Sequence, residues 1–179
     1  MADLPASNTI PAPLERHRSI LVVLAIFLLT FAILQGLYGL AAGGAVERFF
    51  VETIGSRPAV ALIHLLTPEI NATAKGARIL APGGGINIRS GCEGSEILFL
   101  LLAVFLSVAM PWRSRLTGIA LGVGLVIVLN QCRILALFYA YRADRAFFDL
   151  LHTIVAPVVL IAATGLFFHA WLQFSRRPG

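Results

Sequence analysis

Four stretches of the chain are nearly free of charge. The first runs from Ser19 to Ala42 behind the basic flank Arg16-His17-Arg18, and the second from Ile97 to Met110 between Glu96 and Pro111-Trp112. The third runs from Leu116 to Tyr141, interrupted by Arg133, and the fourth from Leu150 to Ser175. A helix needs roughly 20 apolar residues to cross a bilayer. The first, third and fourth runs have that length, and the second reaches it if its helix starts near Cys92. The pattern predicts four transmembrane helices. The first run exceeds the roughly 7 to 15 residues of a signal-peptide core, so it reads as an uncleaved span; the small residues Ala41-Ala42-Gly43-Gly44 that follow leave cleavage as the alternative.

The segment 43–91 has a different texture. Val46, Phe49, Phe50, Val51 and Ile54 are interspersed with Glu47, Arg48 and Glu52, which suits a helix lying along a membrane surface. The apolar stretch Ala59 to Leu66 suits the same placement. Ala77-Arg78-Ile79-Leu80 and Ile86-Asn87-Ile88-Arg89 alternate around Gly83-Gly84-Gly85, predicting a small β-hairpin that delivers the chain to Cys92. Residues 1–18, with Pro5, Pro11 and Pro13 among small polar residues, read as a disordered tail. The fold class is therefore all-α: a polytopic membrane bundle of about four helices with an interfacial helix and a small hairpin, one domain over 19–179.

Composition agrees. Of 179 residues, 58% are hydrophobic and 13% charged, against about 25% charged in an average soluble domain, which excludes a water-soluble globule. The 14 Lys+Arg against 9 Asp+Glu leave +5, but these basic residues flank apolar spans and form no aromatic-interleaved patch, so nucleic acid is not an expected partner. They set topology instead. Arg16, Arg18, Arg113, Arg115, Arg176 and Arg177 fall on one side of a four-span arrangement, while the opposite short loop offsets Arg142 and Arg145 with Asp144 and Asp149. The positive-inside rule then places both termini in the cytoplasm and 43–91 outside.

Candidate chemistry starts at Arg133, because a guanidinium within a span is costly and such residues face a bundle interior, a partner or a wet cavity. Asn130, three residues earlier, shares its helix face. Cys92 lies in Ser90-Gly91-Cys92-Glu93-Gly94-Ser95-Glu96, where Ser90 and Glu93 have capping-box spacing. That predicts a thiol in the first turn of the second span, where the helix dipole favours a thiolate. The competing reading is a small apolar residue in a glycine-flanked turn. Cys132 falls mid-helix in apolar surroundings and reads as structural. His152 follows a candidate N-cap, Asp149, at the head of the fourth span, where a neutral imidazole is favoured. His169 is roughly 25 Å further along that helix, His17 is on the opposite side, and His64 is in the external segment. Topology thus brings Cys92, Arg133 and His152 to one membrane face, and these are the parts of an acyl-transfer site: nucleophile, fixed cation and proton shuttle. Glu96, one turn from Cys92, is a candidate to orient His152 or pair with Arg133. Two cysteines without C-x-x-C spacing indicate neither zinc nor a thioredoxin-type pair, and no metal or cofactor is expected.

On these residues the chain resembles the exosortase and archaeosortase family, integral-membrane cysteine transpeptidases that process proteins carrying C-terminal sorting signals. The resemblance covers roughly 78–171. It rests on Ile86-Asn87-Ile88 leading into Gly91-Cys92-Glu93-Gly94, on Leu129-Asn130-Gln131-Cys132-Arg133-Ile134, and on His152 in family order. It implies Cys92, Arg133 and His152 as catalytic residues, a bacterial inner-membrane location with the site facing outward, and membrane-anchored protein substrates with a recognition motif, a transmembrane helix and a basic end. Many members have more spans, so the chain resembles a short subtype; the family often has Ser or Asn where Glu93 stands. Two other classes remain open: a thiol oxidoreductase using Cys92 and Cys132, and a non-catalytic subunit or small-molecule transporter using Asn130 and Arg133.

Overall fold

The computed structural model describes residues 13–88 and 92–175, with side chains from Ser19 onward. These residues form five helices and a small sheet: α1 (Pro13–Leu40), α2 (Ala45–Leu66), β1 (Thr73–Lys75), β2 (Arg78–Leu80), β3 (Ile86–Asn87), α3 (Ser95–Ser107), α4 (Trp112–Ala143) and α5 (Arg145–Ser175). Most of the predicted tail lies outside the described residues, but its end does not: α1 is already helical from Pro13, because proline suits the first helical position, where no N–H is needed.

The helices long and apolar enough to cross a membrane are α1, α2, α4 and α5. The predicted second span, α3, is 13 residues long, about 20 Å, and so falls short. Gly94 sets its start. Gly94 is left-handed at φ 86, and a Cβ there would sit 3.0 Å from the Asn130 side chain, so the helix begins only at Ser95. At the other end Val108 is extended and Pro111 follows. Cys92 therefore precedes α3 in a turn and does not sit in its first turn; Ser90, the expected cap, lies outside the described residues.

The helix α2 satisfies the length criterion, yet its contacts confine it to one end of the bundle. The Gln131 amide donates to the Ile54 carbonyl, and Thr67 shares a 2.8 Å hydrogen bond with the Tyr139 hydroxyl. Thirteen residues of chain thus cover eight positions of α4, about 12 Å of its axis, and α2 lies inclined across the last turns of α4. That suits the surface-lying helix read from its charges. Within it, Phe49–Ser56 is π-helical.

The 32 residues of α4 extend about 48 Å, more than the roughly 30 Å of a hydrocarbon core. Counted from Arg115, such a core ends near Leu135, so Arg133 belongs to a rim and the final turns project beyond it. There they meet the sheet, ordered β1-β2-β3 and antiparallel throughout, with Ile79 opposite Ile86. The predicted hairpin is present, extended by β1. Val51, Ala59, Ile63, Ile79, Ile88, Ile134 and Phe138 form the apolar core at this end.

Leu98, Leu101, Phe105 and Val126 form a second core, covered by Phe167, Phe168 and Trp171. Its helices approach closely because α4 offers glycines there. A Cβ on Gly118 would collide with Trp171 and Phe105, and one on Gly122 would lie 2.8 Å from both Leu101 and Phe167. Substituting Gly122→Leu is expected to destabilise the fold by about 1 to 3 kcal/mol or more, read as a lowered thermal midpoint in detergent. Gly124→Leu, where nothing lies within 4 Å, is expected to leave the midpoint unchanged.

Candidate active site

Three elements converge at the α2 end of the bundle. The turn ahead of α3 supplies Cys92, the buried face of α4 supplies Arg133, and α5 supplies His152. The Arg133 Nη2 group points at the Cys92 sulfur 3.9 Å away. Cys92 and His152 line one small cavity of about 30 Å³ with β3, Ile134, Leu137 and Phe148. A larger apolar groove of about 430 Å³ between α1 and α3, from Ser19 to Val108, lies at the opposite end and carries no titratable group.

Arg133 is 9% exposed, its Nε has no hydrogen-bond partner among the described residues, and no carboxylate there lies within 4.0 Å of it. A guanidinium held this way is neutralised by no acidic side chain, so its field falls on the cavity and the sulfur. Asn130 is buried at 2%, with neither polar side-chain atom paired among the described residues, and packs beneath Gly94. It supports the turn that carries Cys92.

His152 is placed differently from the sequence expectation. Helix α5 starts at Arg145, where Asp144 caps it by accepting from the Ala146 N–H at 2.8 Å, so Asp149 is not the cap and His152 lies two turns inside. Leu151–Val155 is π-helical. Pro157, just beyond it, has no N–H to return to the Thr153 carbonyl, and the helix takes a widened turn there, a common feature of functional sites. The His152 ring stacks on Phe148, with centroids 5.5 Å apart and planes at 4°, and its Nδ1 has no hydrogen-bond partner among the described residues.

The remaining candidates separate. Cys132 is exposed on the outside of α4, not buried as its apolar neighbours suggested, and it is not joined to Cys92 by a disulfide. His169 is exposed near the far end of α5 and pairs with Gln173 at 2.8 Å. His64 Nε2 lies 2.5 Å from the Ala72 carbonyl oxygen. His17 has no described side chain. Glu96 is exposed and, among the described residues, makes no hydrogen bond or ion pair with His152 or Arg133.

The acidic group that is built into the interior is its neighbour. Glu93 is 2% exposed, and its Oε1 accepts from the Tyr38 hydroxyl at 2.8 Å and from Ser95 Oγ at 2.9 Å. Tyr38 is itself wedged edge-on between Phe50 and Phe99, with centroids 5.7 and 5.5 Å away. A network from α1 through Glu93 to the start of α3 thus anchors the residue next to Cys92. The signal in the sequence was a hydroxyl-bearing Tyr38 near the end of an otherwise apolar span, paired with a carboxylate at the head of the next apolar helix.

A family model described as transmembrane exosortase matches residues 14–169, a stretch that includes α1, α2, the sheet, the whole Cys92 turn, α3, α4 and most of α5. The chain belongs to the transmembrane exosortase family. No curated protein and no solved structure gives a match. In this exosortase the Glu93 anchor is an internal polar network, and breaking it leaves a buried carboxylate short of a donor. Tyr38→Phe is expected to cost about 1 to 3 kcal/mol, measured as thermal unfolding in detergent. Tyr139→Phe, which breaks only the partly buried bond to Thr67, is expected to cost about 1 kcal/mol or less.

Proposed function

We propose that this exosortase is a membrane cysteine transpeptidase or protease, which cleaves C-terminal sorting signals of membrane-anchored proteins through a thioacyl intermediate. The observation that carries the reading is the pairing of Arg133 Nη2 with the sulfur of Cys92 at 3.9 Å, while Cys92 and His152 line one cavity. A thiol beside an unneutralised guanidinium is stabilised as thiolate, the nucleophilic form.

The reaction follows from those groups. His152 takes the thiol proton, and the Cys92 sulfur bonds to the scissile carbonyl carbon. The electron pair of the C=O bond moves to oxygen, where Arg133 stabilises the developing charge. On collapse the C–N bond breaks and His152 returns the proton to the leaving amine. A thioester on Cys92 remains. Water resolves it as a protease; an acceptor amine or hydroxyl resolves it as a transferase. The loop charges favour a site on the outer side of the membrane, which the family resemblance implies is a bacterial inner membrane, at the rim where a substrate's transmembrane helix ends and its peptide becomes extended. The exposed position of Cys132 and its lack of a bond to Cys92 support this reading over dithiol chemistry.

Co-expression with a protein carrying a C-terminal transmembrane helix and basic end tests the proposal by the shortening of that protein. Cys92→Ala, Arg133→Ala and His152→Ala are each expected to lower processing by about 100-fold or more, at matched protein levels. Cys132→Ala and His169→Ala are expected to retain it. Undiminished processing by Cys92→Ala would overturn the proposal, and loss with Cys132→Ala would point to disulfide chemistry.

A further inference from the structure

β3 forms one edge of the sheet, with β2 on one side and no strand on the other among the described residues. Its register pairs Ile86 with Ile79 and Asn87 with Arg78, and the Ile88 N–H donates to the Ala77 carbonyl at 2.8 Å. In an antiparallel ladder, residues whose amide groups face the partner strand alternate with residues whose amide groups face away. With Ile88 bonded toward β2, Asn87 turns its N–H and C=O to the free side.

The same strand lines the candidate active site. Ile86, Asn87 and Ile88 all line the cavity that holds Cys92 and His152. Ile86 and Ile88 present their side chains to one face of the strand, and Asn87 between them completes the strand's contribution to the cavity wall. At about 30 Å³ the cavity has room for about one water molecule, too little for a peptide's side chains. A groove of about 360 Å³ opens from the same strand, lined by Asn87 and Ile88 with Glu47, Arg48 and Glu52 of α2.

We propose that the segment of the substrate preceding the scissile bond docks as an added β-strand on the free edge of β3. Its main chain bonds the N–H and C=O of Asn87, and neighbouring side chains enter the groove under α2. The proposal rests on the acyl-transfer reading of Cys92 and adds to it the substrate's form: an extended, unpaired peptide, held by its backbone and read by a groove of mixed charge. Strand addition also brings the scissile carbonyl toward Cys92 and His152, because β3 lines the cavity that holds them.

The test uses the full chain in detergent and a synthetic peptide comprising the cleavage site and tail helix of a processed protein. One backbone nitrogen at a time is methylated ahead of the scissile bond. Methylation of the one nitrogen that donates to the Asn87 C=O is expected to raise KM about tenfold, while the nitrogens on either side of it, which face away from β3, leave KM close to that of the unmodified peptide. Asn87→Pro, which deletes the outward N–H without touching a bond to β2, is expected to raise KM similarly while Cys92 reacts with iodoacetamide at the wild-type rate. A methylation profile in which no single position stands out from its neighbours would overturn strand addition, as would an unchanged KM in Asn87→Pro. Cleavage that persists in Cys92→Ala would instead remove the acyl-transfer reading, so the two failures are distinguishable.

Discussion

A guanidinium buried against a thiol, with no carboxylate among the described residues to neutralise it, is the constraint around which this end of the molecule is arranged. Burying an unpaired cation is costly, and the surrounding helices hold Arg133 in place by packing: Ile134 and Phe138 lock its helix face into the apolar core beneath α2 and the sheet. The side chain is left one direction in which its charge is useful, toward the sulfur. Glu93 lies next to that sulfur in sequence and would neutralise the cation if it turned the same way. Instead Tyr38 and Ser95 hold one of its oxygens, and the acidic and basic groups of the interior stay apart.

The bundle divides the labour between its ends. At the Ser114 end, glycines on α4 let Phe105, Phe167 and Trp171 close the helices tightly, and Trp171 Nε1 donates to the Ser114 carbonyl at 3.2 Å. The other end is built from short or irregular pieces: a 13-residue α3, two π-helical turns and a three-stranded sheet. Irregular backbone at membrane depth is tolerated where protein buries it or a cavity takes up its polar groups, and this is the end where the candidate site lies. The widened turn before Pro157 carries His152, and the left-handed Gly94 ends the turn that carries Cys92.

Much of the organisation was legible in the chain. Long uncharged runs can only be helices in lipid, since each backbone polar group must be satisfied within its own segment, so α1, α4 and α5 were readable from composition. The hairpin was legible because period-two alternation on both sides of three glycines has few other solutions. Helix boundaries were less so. The start of α3 depends on how closely Asn130 of another helix approaches Gly94, and the start of α5 depends on which of two nearby aspartates caps it; both are contacts between parts of the chain that local pattern does not encode. Cys132 misled for a related reason: apolar neighbours in sequence look alike whether they face protein or lipid.

The amino-acid sequence by itself determined that the chain is a membrane bundle and that a thiol, a guanidinium and an imidazole share a face, because hydrophobic length and flanking charge act locally along the chain and add up to a topology. Only the tertiary structure decided which carboxylate is built into the interior, Glu93 and not Glu96, and that β3 lines the cavity. Those outcomes depend on packing between helices and strands distant in sequence, where a rotation of one turn exchanges a buried side chain for an exposed one.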